Sequence, residues 1–295
     1  MINSYLLYSF NSRFIILSTI FCIILSLIFS DFYLNIIAFS GILTFGIIHG
    51  ANDLLLIKEV SKNYNFKLQF LYYIMMVGGF FLFFYKIPAL ALIIFVLLSS
   101  YHFGEHQWTL FEKNKNHSTK PFYFFYGLTI FSLIFYFNLN QVTEVIFDIT
   151  KTQLTENFFF YLLISSSIIT FLISLFIYKH LKNQFITQII LLILLIITFK
   201  NSALIWSFGI YFIFWHSIPS IKEQTIFIYG KAEKKSILNY FKKALLYWLL
   251  SIIVLLITYY FFRDSQSKLL SIFFSFLAAI TFPHTFVVSK IKKPS

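Results

Sequence analysis

The sequence predicts an all-α, polytopic integral membrane helix bundle, with about ten transmembrane helices in a single transmembrane domain over residues 1–295 and both termini cytoplasmic. Three observations lead there. Hydrophobic residues make up 59% of the 295 and charged residues 12%, and mean hydropathy is +0.81, far from the balance of a soluble domain. The longest polar stretches, 109–120, 140–156 and 222–243, are loop-sized, so no separate soluble domain is expected. The basic residues also alternate between segments as the positive-inside rule requires.

Taken in order, the apolar runs are 14–30, 32–57, 68–86, 87–108, 121–139, 157–179, 183–199, 201–221, 239–262 and 268–289. Each is long enough to cross a hydrocarbon core of about 30 Å as a helix. The first resembles a leader, but "SLIFSDF" has no small-residue cleavage site and Arg13 precedes the run, so it reads as a retained anchor. With the N-terminus inside, only Lys86, Lys151, Lys200, Arg263 and Lys268 of the 23 basic residues fall on the outer side. The net charge of +12 is therefore a topology signal of a multi-pass cytoplasmic (inner) membrane protein, and nucleic acid is not an expected partner. Cys22, the single cysteine, excludes an intrachain disulfide framework and a thiolate metal cluster.

The histidines carry the functional signal. Of the seven, His117 and His180 fall in or beside lysine-rich cytoplasmic loops and read as solvated side chains. His49, His102, His106, His216 and His284 lie within spans, where an ionisable group is costly enough to suggest function. His49, His102, His216 and His284 precede Lys58, Lys113, Lys222 and Lys290 by nine, eleven, six and six residues. At the rise of a helix, that sets four imidazoles on four spans about 9 to 16 Å below the cytoplasmic lysines. Each one alone is equally well explained by a bond to a backbone carbonyl or a serine. Four at one depth favour a shared metal, since neutral imidazole ligates Fe, Zn, Cu and Ni.

The surroundings suit a bundle interior. Gly46 and Gly50 flank His49 at a spacing that lets another backbone approach. Ser99, Ser100 and Gly104 surround His102, Pro219 follows His216, and Pro283 precedes His284. Asp53, four residues after His49, and Glu105, three after His102, are candidates to receive an imidazole N–H and orient the ring, unless Asp53 is simply hydrated at the interface. His106 is one turn beyond His102 and is a candidate ligand or supporting group. Trp108, Trp206, Trp215 and the many Phe and Tyr are candidates for a substrate tunnel, with none singled out.

Read together, "GIIHGANDLLLI", "SSYHFGEHQW", "FWHSIPSI" and "TFPHTFVV" resemble the Brp/Blh family of integral membrane β-carotene 15,15'-dioxygenases, over about residues 41 to 290. The resemblance implies a non-haem Fe(II) enzyme that uses O2 to split β-carotene at its central double bond, giving two retinal that a rhodopsin can receive. The family's motif histidines fall on His49, His102, His216 and His284. Two departures stand out. An "HSxRH" pattern common in the family reads "HSIPS" here, with Ser220 where a second histidine is expected, so His284 or alternatively His106 takes that place. Gln107 stands where many members have an aspartate. Other classes fit less well. A membrane di-iron hydroxylase or desaturase needs about eight histidines, and a metal or proton transporter needs polar groups at several depths. A retinal-binding rhodopsin needs a mid-span lysine.

Overall fold

The computed structural model describes residues 4–60, 65–110, 119–262 and 269–290. Their helices are α1 (Ser4–Ile28), α2 (Asp31–Gly41), α3 (Ile47–Ala51), α4 (Asp53–Val60), α5 (Phe66–Lys86), α6 (Pro88–Thr109), α7 (Lys120–Phe137) and α8 (Leu139–Thr150). There follow α9 (Glu156–Phe176), α10 (Tyr178–Leu181), α11 (Phe185–Lys200), α12 (Leu204–Ile210), α13 (Ile218–Tyr229), α14 (Lys234–Phe262) and α15 (Leu269–Lys290). Two π-helical segments, Ile42–Gly46 and Tyr211–Ser217, join α2 to α3 and α12 to α13. No strand occurs among the described residues.

Local chemistry sets several of these ends. The Asn65 side chain accepts from the Leu68 amide at 3.2 Å and caps α5. Pro88 opens α6 and Pro121 lies in the first turn of α7, where a missing N–H costs nothing. Gly230, at φ +78°, stops α13 in the left-handed conformation that favours glycine. Within the helices, hydroxyls satisfy themselves locally. Thr19, Ser132, Thr198 and Thr225 each donate to the carbonyl four residues earlier, at 2.7–2.8 Å.

Eight helices among the described residues are long and apolar enough to cross a membrane, and Ser12–Ile28 and Phe185–Lys200 are shorter apolar helices. Burial differs sharply between them. The apolar window of Leu204–Tyr229 is 89% buried and that of Lys234–Phe261 only 6%. The first is therefore interior and the second presents Leu, Ile and Phe outward, as a lipid-facing helix does.

Two stretches read as loops are mostly helical. Residues 140–150 belong to α8, an amphipathic helix whose Val142 and Val145 are buried while Asn140 and Glu144 are exposed. Residues 222–229 continue α13, and 234–243 begin α14. Average polarity hid the reason: apolar residues spaced by three and four give a polar helix one face to bury. The stretch 109–120 lies mostly outside the described residues, as does His117. His180 is half-buried in α10.

By internal packing the chain forms two compact units, one of Met1–Ile42, Ser99–Val142 and Leu154–Pro219, the other of Leu43–Leu98, Thr143–Gln153 and Ser220–Ser295. In the first, α7 packs along α9, α12 along α2, and α1 against α11 and the second π segment. The Thr129 and Thr170 hydroxyls bond across the α7–α9 contact at 3.1 Å. Where α6 meets α7, Gly104 and Gly127 let backbone touch backbone. A Cβ on Gly104 would collide with the Tyr123 carbonyl oxygen, and one on Gly127 with that of Ser100. In the second unit α15 packs on α5 and α4, and α14 on α3. Its core joins Phe80, Phe84, Ala91 and Ala278 with Phe282, whose ring stacks on Phe80 at 4.1 Å.

Candidate functional site

The second unit holds His49 and His284. Both are buried, and their rings stand perpendicular with centres 4.7 Å apart. His284 Nδ1 lies 2.7 Å from Asp53 Oδ1. With Asp53 as acceptor Nδ1 is the donor, and Nε2 is the nitrogen that would face a metal. Asp53 Oδ2 accepts from the Tyr73 hydroxyl at 3.0 Å.

This corrects the expectation that Asp53 orients His49. A residue four places on shares a face with its predecessor only in an unbroken helix. Between them Asn52, at φ −94° and ψ 14°, interrupts the helix and divides α3 from α4. The break is held in place. Asn52 Nδ2 donates to the Tyr240 carbonyl at 3.0 Å, and the Tyr240 hydroxyl lies 3.1 Å from the His49 carbonyl oxygen and 2.6 Å from Gln224 Oε1. Gly50 is not the tight approach the spacing suggests, because an added Cβ would meet the His284 ring at an ordinary 3.6 Å.

The first unit gathers His102, His106 and His216, all buried. The His216 ring lies 4.8 Å from that of His102 and 4.6 Å from that of His106, at interplanar angles of 76° and 70°. Phe103, at 4.3 Å, and Phe212, at 5.9 Å, wall it with apolar surface. Glu105, a candidate to orient His102, accepts from the Tyr101 hydroxyl at 3.0 Å. Three residues of helix rotate it about 60° away from His102, whereas His106 is rotated only about 40°. Gln107 is buried and uses an amide's mixed chemistry. Its Nε2 donates to the Tyr126 hydroxyl at 2.6 Å and Gln188 Oε1 at 3.0 Å, and its Oε1 accepts from Tyr211 at 3.1 Å. An aspartate could accept from Tyr211 but has no N–H for Gln188.

Imidazole nitrogens suit a first-row transition metal. Two imidazoles sharing an ion at about 2.1 Å from each nitrogen have ring centres roughly 5 Å apart, close to the 4.6–4.8 Å seen in the His49–His284, His102–His216 and His106–His216 pairs. All five histidines are buried, and a carboxylate orients His284. A family model described as β-carotene 15,15'-dioxygenase matches residues 40–292. The chain belongs to the β-carotene 15,15'-dioxygenase family. No curated protein and no solved structure matches it.

As a β-carotene 15,15'-dioxygenase, the protein acts on a long apolar polyene that partitions into lipid, which agrees with its apolar helices. The family match contains every in-span histidine and leaves α1 and most of α2 outside it. Two features around these histidines escaped the sequence reading. Tyr73 and Tyr240 act on Asp53 and the His49 carbonyl from 20 and 191 residues away, and no local pattern marks them. The π segments also carry no pattern of their own. A hint was available in "HGAND", where Asn and Asp in a helical run favour a local break.

Proposed function

We propose that His49, His102, His216 and His284 hold one Fe(II), and that the enzyme splits the central double bond of β-carotene with O2 into two molecules of retinal. The observation that carries this reading is the buried His284–Asp53 pair with His49 beside it, the arrangement by which proteins aim an imidazole at a metal. The reaction balances without another reagent: one carbon–carbon double bond and the O–O bond break, and each new aldehyde takes one oxygen atom. Bound Fe(II) supplies the redox chemistry that lets O2 react with a closed-shell polyene.

The chain's own residues do the rest. Asp53 keeps the proton of His284 on Nδ1, and Tyr73 holds Asp53. Phe103 and Phe212 keep water from His216. On this reading about ten helices cross the inner membrane with both termini cytoplasmic, β-carotene enters from the lipid, and retinal passes to a rhodopsin.

Expression in carotene-accumulating bacterial cells, followed by pigment chromatography, tests the proposal. Aerobic cells should lose β-carotene and gain retinal. Persisting carotene with the protein in the membrane would overturn it, and longer apocarotenals would overturn central cleavage.

A further inference from the structure

His216 stands in a π-helical segment, Tyr211–Ser217, one of the least stable regular conformations a chain adopts. A π turn carries one residue more than an α turn. If the segment relaxed to α, each following side chain would turn by about 100° about the helix axis. Some contact must therefore hold the wider turn open. Three side-chain bonds do so. The Ser217 hydroxyl donates to the Phe212 carbonyl, five residues back, at 2.8 Å. The Tyr211 hydroxyl donates to Gln107 Oε1 at 3.1 Å. The Trp215 indole N–H donates to Thr19 Oγ1 at 2.9 Å, while Thr19 itself donates to the Ile15 carbonyl at 2.7 Å.

The Thr19 bond is the unexpected one. It comes from α1, which the family match does not reach, and it ends on the residue just before His216. Thr19 is fully buried and Trp215 is 1% exposed, so no water replaces the bond if it is lost. Phe14 and Phe214 add a ring contact at 6.4 Å between the same elements. A second indole, Trp206, donates to Ser26 at 2.8 Å, also on α1, but from α12 and outside the π segment.

We infer that Thr19 is a positioning residue for His216, and that α1 is a working part of the enzyme because its Thr19 hydroxyl holds the π register through the Trp215 indole. This rests on His216 being a ligand, as proposed above. The chemistry asked of Thr19 is only that of a buried acceptor for the indole N–H. Valine keeps its shape and lacks that acceptor; serine keeps the acceptor.

The test compares Thr19→Val, Thr19→Ser and Ser26→Ala in the full-length protein, measuring iron per folded chain, kcat and KM for β-carotene, and thermal stability in detergent. Thr19→Val should lose about tenfold in iron affinity or kcat, the lower end for a group that orients a ligand, with KM nearly unchanged. Thr19→Ser should restore both. Ser26→Ala breaks the same kind of bond away from the π segment and should leave iron affinity and kcat at wild-type values. Trp215→Phe should match Thr19→Val, and the double variant should be no worse than either, since both remove one bond. The inference is overturned if Thr19→Val lowers stability alone, or if Ser26→Ala is equally damaging. Wild-type protein without iron or retinal formation would instead overturn the reading it rests on.

Discussion

Asp53 accepts a hydrogen bond on each carboxylate oxygen, from His284 and from Tyr73. Asparagine has the same size but only one acceptor oxygen, so Asp53→Asn sets its NH2 against one of two donors. His284 then loses its fixed tautomer or Tyr73 its partner. Iron affinity or activity should fall about 10- to 100-fold, with membrane yield unchanged and partial recovery in excess iron. An unchanged rate at limiting iron would show that Asp53 does not orient the ligand. Tyr73→Phe leaves the His284 bond in place, and its loss should be smaller when measured the same way. Replacing His49, His102, His216 or His284 singly by Ala should abolish retinal formation, while His180→Ala should be near wild type. His106 faces His216 as closely as His102 does, so His106→Ala decides its role. Full iron binding in that variant would confine His106 to support. The histidines were visible from sequence because ionisable groups stand out in apolar spans. Their partners were not: Tyr73 and Tyr240 are ordinary aromatics until folding aims their hydroxyls.

At the scale of the element, the small residues divide into those that must be small and one that need not be. Gly104 and Gly127 are required where α6 crosses α7, and alanine at either pushes on backbone that has no rotamer to yield. Each substitution should destabilise by about 1–3 kcal/mol or more, read as a lowered melting temperature in detergent, with retinal formation falling in step. Gly50→Ala should cost little by the same measurement, since its Cβ meets the His284 ring at a normal distance. A melting temperature lowered as much by Gly50→Ala as by Gly104→Ala would contradict this. The sequence pattern pointed at Gly46 and Gly50, because spacing marks a permissive face without saying whether a neighbour fills it. The amphipathic α8 and the break at Asn52 were obscured for a related reason: helix breaks and surface helices depend on which groups are near, here Tyr240 and the Ser271 hydroxyl, 3.4 Å from Asp148.

For the whole molecule, the proposed single site predicts about one iron per purified chain. Chelation should abolish retinal formation, and Fe(II) should restore it. Two irons per chain, or zinc in the active preparation, would contradict the proposed site. The topology proposal predicts that a reporter active only in the cytoplasm works at either terminus and fails when inserted at Lys151–Gln153. By itself, the sequence determined the class of molecule, the placement of apolar helices and the histidines worth testing. Hydropathy and charge act residue by residue against the bilayer, and need no tertiary contacts to be read. Its ordered motifs also carried the family, which the match over residues 40–292 shows. Only the tertiary structure decided which carboxylate serves which histidine, where the helix carrying His216 widens, and that α1 holds it there. The first and last of those outcomes rest on hydrogen bonds between residues 231 and 196 positions apart. Such bonds form where packing brings a donor to an acceptor in a place without water, and one-dimensional spacing holds no trace of that.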